Sequence, residues 1–191
     1  MAKKLKAKSK SKSKAKSKPK LAAKSPAKRK APPKRKRVLP IPAGYNSITP
    51  YLVAHDAAAA IKFYTTVFGA KERMRMPGPD GKIGHAELKI GDSVFMLADE
   101  APSWGALAPR TVGGSPVTIM LYVKDVDAVV AKAVAAGGKL KRPIKNQFYG
   151  DRSGSIEDPD GHTWHISTHV EDVPPKELRR RAEEMAKQAG S

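Results

Sequence analysis

His85, Glu87, Arg152 and His165 are the side chains of this sequence best suited to moving a proton or gripping a polar ligand. A carboxylate and an imidazole within hydrogen-bond reach of each other can serve as base and acid. Glu87 and His165 are therefore the candidate catalytic pair. The same residues have plainer readings: Glu87 in a salt bridge with Arg152 or Lys89, and His165 as a buried histidine bonded to a hydroxyl. His162, His165 and His169 lie close in sequence but cannot share an ion. On a strand, 162 and 165 point to opposite faces. His165 and His169 share a face but stand about 13 Å apart at roughly 3.3 Å per residue. His55 falls at a turn and is expected in solvent. The chain has no cysteine, which removes disulfides, thiolate metal sites and a cysteine nucleophile. It also lacks a P-loop, a nucleophile elbow, a dinucleotide fingerprint and an HExxH motif.

These residues depend on strands to position them. A strand is expected over Ile48 to Val53. A helix follows, capped by Asp56 and ended by Gly69, with Ala57, Ala60, Ile61, Tyr64 and Phe68 on one face. Strands follow at about 71–76, 83–90 and 93–99, the last two joined by a tight Gly91-Asp92 turn. The pattern then returns. A strand spans Val117 to Val123, and Asp125 caps a helix bearing Val126, Val129, Val130, Ala133 and Val134. Gly137-Gly138 ends it, and strands come near 139–144, 152–157 and 162–168. The halves are offset by 69 residues, since Asp56 and Asp125 are equivalent. The fold class is thus α+β, two tandem βαβββ modules at 47–100 and 116–170 within a 47–173 domain. A last helix runs from about Pro174 to Lys187 in a segment reaching 190. Leu178, Ala182, Met185 and Ala186 give it a packing stripe, and Arg179, Arg180 and Arg181 a basic patch.

Period-2 alternation assigns a cleft face. Ile48 and Leu52 suit the helix-covered side, leaving Thr49, Tyr51 and Val53 for the cleft. In the 83–99 hairpin the short turn pairs Glu87 with Met96 and puts Ala86, Leu88, Phe95 and Leu97 in the core. His85, Glu87 and Met96 then face the cleft, as do Thr118, Met120 and Tyr122 from the fifth strand. In the last hairpin Thr163, His165 and Ser167 face the cleft, Trp164 and Ile166 pack inward, and Arg152 lies beside His165. With Tyr149, this gives an apolar, aromatic lining with few polar groups, the usual makeup of a small-molecule site. Trp104, in the loop from Ala101 to Gly114, is either a lid over the cleft or a partner contact.

The stretches Ile61-Lys62-Phe63-Tyr64 through Val67-Phe68-Gly69-Ala70, Gly137-Gly138, and Glu157-Asp158-Pro159-Asp160-Gly161 together resemble the vicinal oxygen chelate superfamily, which includes glyoxalase I, extradiol dioxygenases and the bleomycin resistance proteins. The stretches Phe148 to Gly154 and Trp164 to Val173 resemble its PhnB-like branch. The resemblance implies a cleft wrapped by each half and frequent dimerisation. It also implies where a metal would sit: its four ligand positions fall on Thr49, Met96, Thr118 and His165. Only one of these is a good ligand, so no metal and no cofactor are expected.

The charge is concentrated in a tail. Residues 1–40 hold 18 Lys/Arg and no acid, whereas 41–191 hold the other 19 Lys/Arg and all 18 acids. Residues 1–37 are almost wholly Lys, Ala, Ser, Pro and Arg, which cannot bury enough surface to offset ordering entropy. The tail is read as disordered, followed by a 41–46 linker. Lys28, Arg29, Lys30, Lys34, Arg35, Lys36 and Arg37 are the candidate nucleic-acid contacts, acting on phosphates by counterion release without sequence readout. The tail resembles those of histone H1 and bacterial H1-like nucleoid proteins. An anionic membrane surface, an acidic protein, or a merely solubilising polycation are the alternatives. No run approaches the roughly 18 apolar residues of a membrane helix, nor is there a secretory signal. The expected compartment is the cytoplasm, at the nucleoid, or the nucleus in a eukaryote.

Three functions follow as expectations. The first is a metal-free, dimeric small-molecule-binding domain tethered to nucleic acid. The second is a lyase- or isomerase-type enzyme using Glu87 and His165. The third is a nucleoid or chromatin protein whose domain serves to dimerise it.

Overall fold

A computed structural model describes residues 38–189. The basic tail of residues 1–37, with its candidate nucleic-acid contacts, lies outside the described residues.

Two modules repeat the same order of elements. The first contains β1 (Tyr51–Ala54), α1 (Ala57–Phe68), β2 (Lys71–Pro77), β3 (Ile83–Ile90) and β4 (Ser93–Asp99). A short helix, α2 (Pro109–Val112), lies in the connection. The second contains β5 (Thr118–Tyr122), α3 (Val126–Ala135), β6 (Lys139–Asn146), β7 (Asp151–Glu157) and β8 (Thr163–His169), and α4 (Pro175–Ala189) follows it. Each module forms one four-stranded mixed sheet, in the orders β1-β4-β3-β2 and β5-β8-β7-β6. Tyr51 pairs with Met96 and Met120 with His165, so the parallel registers are equivalent at the offset of 69.

Local chemistry sets the element ends. The Asp56 carboxylate accepts from the Ala59 amide, and Asp125 does the same from Ala128, each satisfying a free donor of a first helical turn. Gly69 closes α1 at φ 66°, a left-handed conformation that glycine adopts without strain. The β3–β4 hairpin has the register read from its short turn, Glu87 opposite Met96.

The core lies between the modules. Tyr64 and Phe68 of α1 meet Trp164 of β8 at ring-centroid distances of 5.3 and 4.7 Å. Leu88, Phe95 and Leu97 from the first sheet join Val126, Val130, Ile156 and Ile166 from the second in the same buried cluster. The helix-bearing sides of both sheets therefore share one core, and each sheet turns its other face outward. That outer face is called the open face below.

Two expectations need correction. Ile48 does not lie under the helix; it is 85% exposed. Pro50 has no amide to continue a ladder, and the strand starts one residue later. In α4, the basic patch is mostly neutralised. Arg180 pairs with Glu177 and Glu184, and Arg181 with Glu171 and Glu177. Arg181 also donates to the Phe148 carbonyl, so it acts as a clamp of α4 onto the β6–β7 loop. Among the described residues, no helix is long and apolar enough to cross a membrane.

Candidate functional site

The open face of the first sheet centres on Glu87, in the middle of β3 and almost fully buried. It is buried because other side chains fold over it. Tyr45, from the linker ahead of β1, donates its hydroxyl to Glu87 Oε1 at 2.5 Å. Arg73 places a guanidinium nitrogen 3.4 Å from Glu87 Oε2 and stacks over the Tyr45 ring at 4.8 Å. His85 Nε2 lies 3.6 Å from Glu87 Oε1, and its Nδ1 lies 2.9 Å from the Tyr51 hydroxyl. A chain of polar groups thus runs from the half-exposed Tyr51 phenol through His85 to Glu87. The hydrogen bond to Glu87 raises the pKa of Tyr45 above its ordinary value, since losing the proton would set two anions together. Burial raises that of Tyr51.

The open face of the second sheet carries Thr118, Met120 and Tyr122 from β5, and Thr163, His165, Ser167 and His169 from β8. Opposite β8, strand β7 contributes Asp151, Ser153 and Ser155. His165 Nδ1 bonds the Ser155 hydroxyl at 2.8 Å. Tyr122 donates to Asp151 Oδ2 at 2.9 Å, and His169 bridges Asp151 and Asp172 through its two ring nitrogens, at 2.9 and 3.0 Å. The bond to Asp151, then that to Asp172, raises the pKa of His169 above its ordinary 6.5. Cavities of about 450 and 510 Å3 open on this face, both lined by Arg142, Tyr149 and His165.

The proposed base and acid are not brought together. Glu87 and His165 stand on different sheets, and no hydrogen bond or ion pair among the described residues joins them. Thr49 lies ahead of β1, where its hydroxyl donates to the Asn46 carbonyl. Arg152 is a correction. It pairs across the ladder with Thr168 and forms a two-pronged ion pair with Asp127 of α3, both contacts at 2.7 Å. It therefore sits on the helix-bearing side, one residue out of phase with the open face. Trp104 is 88% exposed in the connection between modules.

The positions where a metal would be held do not fit one. They supply two hydroxyls, a thioether and only one imidazole, and the Thr49 hydroxyl is already bonded to a carbonyl. Among the described residues no group of three or more His, Asp or Glu side chains converges on a point that could hold an ion. His169 with Asp151 and Asp172 is not an exception, because the carboxylates engage opposite edges of the ring.

Tyr45, Arg73, Arg142, Lys145, Ser153 and Ser155 were not among the expected site residues. Pro143 inside β6 was the one available signal for Arg142 and Lys145, since proline in a strand marks an edge or a bulge.

Residues 44–166 match the profile of the Glyoxalase/Bleomycin resistance protein/Dioxygenase superfamily. An uncharacterised Mycobacterium tuberculosis protein is 42% identical over 136 residues, which span 70% of this chain and 80% of that one. Among solved structures, an Arabidopsis thaliana gene product is 28% identical with a TM-score of 0.53, covering 64% of this chain and 98% of that one. A PhnB protein from Bacillus cereus is 19% identical with a TM-score of 0.52 over 64% and 99% of the two chains, a likeness of fold alone.

Proposed function

Because the chain belongs to the glyoxalase/bleomycin resistance protein/dioxygenase superfamily, we propose that it binds a small organic molecule on its open sheet faces without a metal ion, as a member of the PhnB-like branch. One observation carries the reading. Both faces present side chains of binding-site type that the single chain leaves uncovered: Tyr51 is 51%, Met120 44% and Tyr122 60% exposed. Such a mixture of aromatic, thioether and a few aimed polar groups suits an enclosed ligand. A second copy of the chain would supply the missing wall, which makes the working form a homodimer with the ligand between sheets of different protomers. The basic tail then tethers the domain to nucleic acid, a role supported by its charge alone.

The test is binding of small aromatic ligands to chelator-treated protein, followed by amide chemical shifts. Saturable shifts confined to β5, β7, β8 and the Tyr51–Glu87 region support the reading. Shifts only on the helix-bearing sides, or none with any ligand, count against it.

A proton-transfer enzyme is the second reading. It is favoured by the Tyr51–His85–Glu87 chain, and not by Glu87 with His165. It requires Glu87→Gln to abolish turnover while ligand binding persists.

A further inference from the structure

The second open face carries a more specific message about what it binds. We infer that the pocket beneath Arg142 takes the oxyanion of a small molecule, a carboxylate or a phosphate group. This rests on the proposed binding function of the open faces and adds the chemical class of the ligand.

Three observations converge. First, neither cavity on this face is lined by a carboxylate, whereas Arg142, Lys145, Tyr149, Ser153, Ser155 and His165 all line one or both. The two acids on the same face of β7 are already engaged. Glu157 is held by Lys139 and Lys141, and Asp151 by His169 and Tyr122. Arg142 and Lys145 have no ion-pair partner among the described residues. An arginine fork beside hydroxyl donors is matched to the two-oxygen edge of a carboxylate or phosphate.

Second, the backbone is shaped to present these cations. The β6–β7 ladder shifts register between Leu140 and Arg142 and again between Arg142 and Lys145. Regular alternation from Leu140, which faces the core residue Ile156, would put Arg142 on the helix-bearing side. The irregularity instead sets Arg142 opposite Ser155, and Lys145 opposite Ser153. Gly154 makes this possible, because a β-carbon there would stand 3.0 Å from Ile144 Cγ1 and 3.1 Å from the Arg142 carbonyl.

Third, the Ser153 hydroxyl is fully buried and has no hydrogen-bond partner among the described residues. A buried hydroxyl left unpaired is unfavourable, because it has given up its bonds to water without a replacement. Rotation about its single χ1 bond can aim it at a group in the pocket it lines. An oxyanion there would accept from Ser153 and from Arg142 together.

The experiment uses the full chain at physiological salt, with benzoate, phenyl phosphate and the neutral isostere benzamide as probes, read by amide chemical shifts. Benzoate or phenyl phosphate should shift Ser153, Ser155 and His165 saturably, and the tighter of the two assigns the anion. Benzamide should bind at least about tenfold more weakly, and Arg142→Met should weaken the anions by about tenfold, as expected for one charge-assisted contact. Ser153→Ala should weaken them too while leaving the thermal midpoint unchanged or raised. Equal binding of benzamide and benzoate, indifferent to Arg142→Met, overturns the oxyanion assignment and leaves the binding function standing. No binding by any of the three on either open face overturns both.

Discussion

The Tyr64 hydroxyl of the first module donates to the Asp158 carboxylate of the second at 2.7 Å, across 94 residues of chain. The Trp164 indole donates to the same oxygen at 2.9 Å, and the amides of Asp160 and His162 bond the other. Burial pushes the Asp158 carboxyl up, but His162, Tyr64 and Trp164 outweigh it and hold the pKa below its ordinary value. This carboxylate fastens the helix-bearing sides of the two sheets together. The open faces point outward as a result, so the fold itself decides where a ligand can reach.

Tyr64→Phe should cost about 1–3 kcal/mol in chemical denaturation, since it strips one donor from a buried carboxylate. A loss within a few tenths of a kcal/mol would mean that Trp164 and the amides suffice to join the modules.

His169 should titrate above 6.5 when followed by NMR, and Asp172→Asn should bring the midpoint down without reaching that of a free imidazole, because Asp151 remains. A histidine pKa raised in the folded state adds stability that is fully present below the unfolded value of about 6.5. The contribution disappears as pH rises through the folded midpoint. A titration at or below 6.5 would show that the two carboxylates do not hold the ring in solution.

Glu87→Gln should lower the titration midpoint of Tyr45 toward its ordinary value, because the Glu87 hydrogen bond is the chief cause of its elevation. Phenol absorbance difference spectra at alkaline pH read this directly. An unchanged midpoint would place Tyr45 away from Glu87 in solution, and the open face of the first sheet would then be less covered than described.

Arg152→Met should leave ligand affinity unchanged, because its guanidinium grips Asp127 on the helix-bearing side. Its effect on stability should be small, as for other exposed ion pairs. A marked loss of affinity would return Arg152 to the binding face.

The fate of Arg152 shows what period-2 reasoning resolves and what it leaves open. In the β3–β4 hairpin a tight turn transmits register without ambiguity, so Glu87, Met96 and the buried Leu88 and Phe95 were legible from spacing alone. The β7–β8 connection is longer, and the polar run Asp151-Arg152-Ser153 offers no apolar residue to anchor the phase. The structure pairs Ser155 with His165, which sends the odd residues of β7 to the open face and Arg152 away. Arg142 was hidden differently, because its place depends on a register shift that interrupts the very alternation used to read faces. Tyr45 had no local signal at all. It reaches Glu87 through the path of the linker, a contact 42 residues apart in sequence. Two βαβββ modules were legible in the 69-residue repeat, but that their helix-bearing sides meet, parting Glu87 from His165, follows from long-range packing of Trp164 onto α1.

Thermal unfolding of the full chain after chelator treatment, with a panel of small aromatic acids in the presence and absence of divalent metal ions, tests metal-independent binding most directly. At least one ligand class should raise the midpoint without metal, and metal alone should not move it. A midpoint raised by stoichiometric metal, or ligand stabilisation that appears only when metal is added, would contradict it.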